Sequence, residues 1–275
     1  MGFRRSAAVI VMLAVTAPVA VALSAPPTSG KTESKPAESA PAASAPASSA
    51  STPAPASSAA AAKAAEVEFT QLEAVATKPG DATAGQAKAA ACGACHGMDG
   101  NSTDPQYPKL AGQSEQYIVT QLMRFKSGTR VNPIMAGMAA PLSPQDMHDL
   151  GAYFSGQKLL PGVADEKLAS EGGTLYRDGD ASRGVPACMA CHGPAGRGNP
   201  GWRVPQIAGQ HADYVQKQLQ LWHDGTTWGS DVHASIMPTI AQRLTSQDIS
   251  AVSSYIEGLH AAAPPQAATK PDSID

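Results

Sequence analysis

Cysteine and histidine recur in this chain in a single arrangement. Cys92-Gly-Ala-Cys95-His96-Gly97 and Cys188-Met-Ala-Cys191-His192-Gly193 repeat one six-residue pattern 96 positions apart, and they use all 4 cysteines. Two thiols three positions apart, followed directly by an imidazole, have the spacing for covalent haem attachment. The thiols would add to the two vinyl groups of one porphyrin, and the histidine would lie under the iron. Three other chemistries use paired cysteines. A zinc ribbon closes its pairs over about 15–20 residues and has no use for a histidine after each pair; here 92 residues lie between Cys95 and Cys188. A dithiol redox site needs a strand, turn and helix, which the pattern does not supply. A three-residue step suits catalysis better than structural stapling, which weakens the case for two disulfides.

An iron held by one histidine keeps a sixth position. In the second half the methionines are Met189, inside the attachment motif and on the histidine side, and Met237. Met237 stands seven residues before Leu244, and seven before Leu142 is Met135. This register selects Met135 from Met98, Met123, Met135, Met138 and Met147, with Met138 the runner-up. An isolated methionine is ordinarily core filler; the shared offset argues otherwise here. Thioether ligation favours ferrous iron, as suits an electron carrier rather than an oxygen activator.

The elements that must position these residues also occur twice. Pro108-Lys-Leu-Ala-Gly-Gln113 matches Pro205-Gln-Ile-Ala-Gly-Gln210, and Tyr117, Gln121, Leu122 and Gly128 match Tyr214, Gln218, Leu219 and Gly225 at an offset of 97. Leu142, Asp146 and Tyr153 match Leu244, Asp248 and Tyr255 at 102, so the second copy carries five extra residues around Met237. Ile118, Leu122 and Phe125, like Val215, Leu219 and Trp222, fall at i, i+4, i+7 and predict one amphipathic helix per copy. Ser143-Pro144 and Thr245 start a second helix, lined by Met147, Leu150 and Phe154 in one copy and by Ile249, Val252, Ile256 and Leu259 in the other. No segment alternates like a strand. The class is all-α, in two tandem domains over 80–158 and 159–262, with loops long enough to require a central filling other than side chains.

Outside the repeat, Arg4 and Arg5 precede an apolar run over 7–23, which predicts an export signal over 1–24 or a retained membrane anchor. Residues 25–65 hold 16 Ala, 9 Ser and 7 Pro and no aromatic, the composition of a disordered linker. A tail over 263–275 reads as disordered too. The formal charge of -3 offers no field for a nucleic-acid backbone. Arg124, Lys126 and Arg130 suit a solvated helix end better than a haem propionate. His148, His211, His223, His233 and His260 read as surface residues, with His233, four before Met237, the alternative ligand to watch.

The paired motifs, the Pro-x-Leu/Ile-Ala-Gly-Gln segments, the methionine register and the closing Ala152-Tyr153 and Ser254-Tyr255 resemble the dihaem cytochrome c4 family over about residues 85–260. The resemblance implies two class I cytochrome c domains related by a pseudo-two-fold axis, with two covalent haem c groups whose propionates approach at the interface. It implies haem attachment at Cys92, Cys95, Cys188 and Cys191, and iron ligation by His96, Met135, His192 and Met237. The carbonyls of Pro108 and Pro205 would accept from the histidine rings, and Gly85 and Gly172 would sit where first and last helices cross. The function implied is periplasmic electron carriage from a quinol-oxidising complex to a terminal oxidase, with no substrate chemically changed. The alternatives are a dihaem peroxidase, a sulfur-compound dehydrogenase or a docking subunit of an oxidase.

Overall fold

A computed structural model describes residues 56–260. The apolar run over 7–23, the tail over 263–275 and the linker up to residue 55 lie outside the described residues. Among the described residues the chain is helical, with two isolated bridges, Asp180 to Val185 and Asn199 to Val204, as its extended pairing. No helix among them is long and apolar enough to cross a membrane.

The repeat seen in the residues is a repeat of elements. The first copy runs α2 (Ala82–Lys88), α3 (Ala90–His96), α4 (Glu115–Ser127), α5 (Pro133–Ala139) and α6 (Pro144–Ser155). The second runs α7 (Glu166–Asp178), α8 (Met189–His192), α9 (Ala212–His223), α10 (Val232–Ala241) and α11 (Ser246–Gly258). The stop and start signals are local. Ser143 and Thr245 each complete a reciprocal capping box with Asp146 and Asp248, and Gly128, at φ 84°, ends α4 in the left-handed conformation. Three of the five inserted residues lengthen α10, which has 10 residues against 7 in α5, and the other two lengthen the loop before it.

Packing follows the predicted stripes. Ile118, Leu150, Phe154 and Ala89 bury one core, and Leu175, Tyr176, Leu219, Ile249, Val252 and Ile256 the other. First and last helices cross at a glycine in each copy. A methyl group on Gly85 would overlap the Asp149 carbonyl, and one on Gly172 the Ala251 carbonyl, so only a residue without a side chain lets the backbones approach this closely. Ion pairs tie the same ends together: Lys88 to Asp146 at 2.8 Å in the first copy, Arg183 to Asp248 at 2.5 Å in the second.

The first helix corrects the linker reading. α1 spans Ala56–Glu73 and begins ten residues inside the segment 25–65 expected to be disordered. After Pro55 the chain has no proline until Pro79, and its alanines, the best helix formers, act differently from alanine mixed with proline. The helix is held by its far end. Phe69 is buried against Val119, Met123 and Met147 of α4 and α6, with Leu72 beside it. Glu73 pairs with Arg203 of the second copy at 2.6 Å.

The two copies meet along a polar seam, and here the surface assignments fail. Arg124 and Arg130 are buried, not solvating a helix end. Arg124 bonds Asp231 at 2.6 Å and faces the Phe69 ring. Arg130 lies between the rings of Phe125 and Trp228 and donates to Gln121, Tyr214 and Gln218 at 2.7–3.0 Å. His211 is also buried. Its Nε2 lies 2.9 Å from the carbonyl of Ser102 and 3.0 Å from that residue's hydroxyl, in the other copy. His148 is half-buried against Glu115 at 2.7 Å. In each case a partner distant in sequence takes the place of water, although the Nε of Arg124 is buried without one.

Candidate haem sites

On α3, Cys92, Cys95 and His96 occupy positions i, i+3 and i+4, which share one helical face. On α8 the same three groups recur as Cys188, Cys191 and His192, with Cys188 at the helix start. Glycines at positive φ, Gly97 and Gly193, turn the chain sharply away after each histidine. The four thiols carry no disulfide. Burial pushes the Cys92 thiol above its ordinary range and Cys188 up to about 11. Among the described residues no three His, Cys, Asp or Glu side chains converge as a bare metal-ion site would require.

Both imidazoles are buried and oriented in the same way. His96 Nδ1 lies 2.8 Å from the Pro108 carbonyl oxygen, and His192 Nδ1 3.0 Å from that of Pro205. A carbonyl only accepts, so Nδ1 carries the hydrogen and Nε2 keeps its lone pair free for a metal. Burial lowers both histidines' proton affinity, which keeps the rings neutral. A donor set of two thiols and one neutral imidazole with a free Nε2 fits a haem held through two thioethers and one nitrogen.

The loops bearing these prolines are built alike. Leu110 and Ala111 donate to the Gly100 carbonyl, as Ile207 and Ala208 donate to that of Gly196, at 2.7–3.1 Å. Gly112 and Gly209 then bond Phe154 and Ile256 at the ends of α6 and α11, at 2.9 and 3.0 Å. Each proline carbonyl is thereby anchored to its own domain's last helix.

The expected sixth ligands occupy equivalent helices. Met135 is half-buried on α5, and Met237 is half-buried on α10, packed against the second core. Met138 is exposed. The last residues of the two helices, Ala139 and Ala241, also correspond at an offset of 102 and are both fully buried, so the helices seat in the same register. His233 is exposed on the first turn of α10, beside Asp231.

Sequence reasoning passed over Gln113 and Gln210. Gln113 takes the Gln206 N–H on its Oε1 at 3.0 Å and donates from Nε2 to the Gln206 carbonyl at 2.9 Å. Gln210 does the same to Lys109, at 2.8 and 2.9 Å. The two contacts are mirror copies across the seam. Their repetition at an offset of 97 was the available signal.

Helices paired at a glycine crossing, loops returning a carbonyl to a buried histidine, and two thiols one helical turn apart define a c-type cytochrome, present here twice. A family model described as cytochrome c matches residues 82–158 and 169–260. The chain is 49% identical over 189 residues to cytochrome c4 of Pseudomonas aeruginosa, covering 69% of this chain and 94% of that one. The crystal structure of reduced cytochrome c4 from Pseudomonas stutzeri superposes with a TM-score of 0.63 at 48% identity, over 66% of this chain and 100% of the other. A thiosulfate dehydrogenase electron acceptor of Thiomonas intermedia is 38% identical over 184 residues, 65% of this chain and 82% of that one. The chain belongs to the cytochrome c4 family and binds two covalent haem c groups, which makes it a dihaem electron-transfer protein.

Proposed function

We propose that this protein is a periplasmic electron carrier, not an enzyme, accepting from a quinol-oxidising complex and delivering to a terminal oxidase. The observation that carries the reading is the doubled arrangement of attachment thiols and carbonyl-oriented imidazole. Each haem supplies a one-electron ferric–ferrous couple. Cys92 and Cys95 hold one group, Cys188 and Cys191 the other. His96 and His192 would hold the irons through Nε2, and Met135 and Met237 would supply a thioether ligand to each, which would leave no exchangeable site for peroxide or a sulfur substrate. Export is supported by Arg4, Arg5 and the apolar run over 7–23, which would hold the protein at the membrane if retained.

The thiosulfate dehydrogenase electron acceptor of Thiomonas intermedia favours a second reading, in which the donor oxidises a sulfur compound and this chain takes its electrons. The choice of donor leaves the carrier chemistry unchanged.

Optical spectra of the ferric protein test the ligand set. Methionine-to-iron charge-transfer absorption is expected in the native protein, reduced by about half in Met135→Ala and again by half in Met237→Ala. Undiminished absorption in either variant overturns that assignment. Rapid binding of cyanide or peroxide to the native protein overturns the carrier reading in favour of an enzyme.

A further inference from the structure

The contacts of Gln113 and Gln210 and those of the two histidines share backbone groups. The oxygen that faces His96 belongs to Pro108, and the nitrogen bonded to that same carbonyl carbon belongs to Lys109, so both belong to one amide. A trans peptide points its oxygen and its hydrogen in opposite directions. A continuous line therefore runs from His96 Nδ1–H to the Pro108 oxygen, through the amide, and from the Lys109 N–H to Gln210 Oε1 in the other domain. The second line runs from His192 Nδ1–H to the Pro205 oxygen, and from the Gln206 N–H to Gln113 Oε1. His96, His192, Lys109, Gln113 and Gln210 are each no more than 8% exposed, so the side chains at both ends of each line are shielded from water, while Pro108, Pro205 and Gln206 between them are half-buried.

We propose that Gln113 and Gln210 are positioning residues acting across the domain seam, each tuning the axial histidine of the opposite haem through one shared backbone amide. This rests on the histidine ligation proposed above. When Oε1 accepts the peptide N–H, electron density moves toward the carbonyl oxygen, which becomes a stronger acceptor for Nδ1–H. The imidazole gains electron density, donates more strongly to iron and favours the ferric state. The direction of influence is crossed: Gln210, in the second domain, acts on the haem of the first, and Gln113, in the first, acts on the haem of the second. A glutamine that only joined the domains would not produce this crossing.

The test uses the full dihaem protein labelled with 15N-histidine. In the reduced, diamagnetic protein, each axial Nδ1–H gives a cross-peak displaced by the porphyrin ring current, and each haem's reduction is followed by the growth of its own peak. Gln210→Leu is expected to move the His96 peak upfield and to raise the ferrous-to-ferric ratio of the first haem about twofold to fourfold at fixed ambient potential, with the second haem unmoved. Gln113→Leu should give the mirror result. Gln210→Glu and Gln113→Glu keep the accepting oxygen, add negative charge and should reverse both signs; they also carry the test if the leucine variants do not fold. Shifts confined to the mutated domain, equal shifts at both haems, or unmoved peaks in folded variants overturn the proposal. Absence of ring-current-shifted Nδ1–H peaks in the native protein overturns the histidine ligation itself, an outcome distinct from peaks that are present and do not respond.

Discussion

Arg130 of the first domain lies over the indole of Trp228 in the second, its guanidinium carbon 3.6 Å from the ring centroid. Trp228 belongs to the extra residues of the second copy, and it also packs on Trp222 of α9, with 4.6 Å between ring centroids. The insertion is thus a latch between domains. Because Arg130 is buried and its guanidinium also serves Gln121, Tyr214 and Gln218, removing it leaves partners unpaired in a dry place. Arg130→Ala is expected to cost about 3 kcal/mol in denaturant unfolding of the holoprotein. Arg130→Lys should recover less than half of this, since a point charge cannot replace a planar fork.

The glycine crossings make a sharper prediction. Gly85→Ala and Gly172→Ala each force a methyl into a backbone carbonyl that cannot rotate away. Each should lose about 3 kcal/mol or more and reduce the yield of haem-loaded protein. Gly156→Ala is the matched control. Its nearest neighbours lie at ordinary contact distance and its φ of -79° suits any residue, so thermal unfolding should be unchanged or slightly later.

Acid should loosen both domains through the same device. The Lys88 ammonium and then the Ser143 hydroxyl hold Asp146 down to about 2, and the Arg183 guanidinium, opposed by partial burial, holds Asp248 below the usual carboxylate range. A carboxylate with a depressed folded value contributes stability that is present above its unfolded value near 4 and lost as pH falls through the folded one. Unfolding midpoints should therefore be flat from pH 7 to about 5 and fall steeply between about 4 and 2. Asp248→Asn should lower the midpoint at pH 7 and flatten that fall, as measured by denaturation across the pH series.

The hold on α1 is concentrated at Phe69. Phe69→Ala removes the buried ring and its contact with Arg124, at a cost of about 3 kcal/mol to the docked state of this helix. Trypsin cleavage after Lys63 should accelerate severalfold while the visible spectrum of both haems stays unchanged. A spectrum that changes together with cleavage would show that α1 is part of the haem-bearing cores.

What could be read from the sequence was what is local and doubled. Cys92, Cys95 and His96 announce their chemistry by spacing alone, and Leu150, Phe154, Ile249 and Val252 announce the core by helical period. The caps at Ser143 and Thr245 could be read for the same reason. Burial of Arg124, Arg130 and His211 could not, because their types favour water and the groups that replace it, such as Asp231, Trp228 and Ser102, lie about a hundred residues away. Helix α1 escaped because its alanines were pooled with the prolines and serines before them, while its one strong anchor, Phe69, lies past the end of the biased stretch.

The exchange of glutamines bears on how such a tandem can change over generations. Each half lends the other the amide that its own backbone needs, so an altered residue at 113 or 210 is felt in the opposite half. Removing either half would leave the Lys109 or the Gln206 N–H of the other without its glutamine acceptor, beside the amide that orients the histidine. Separation of the halves is therefore expected to disturb the haem site of whichever one is kept.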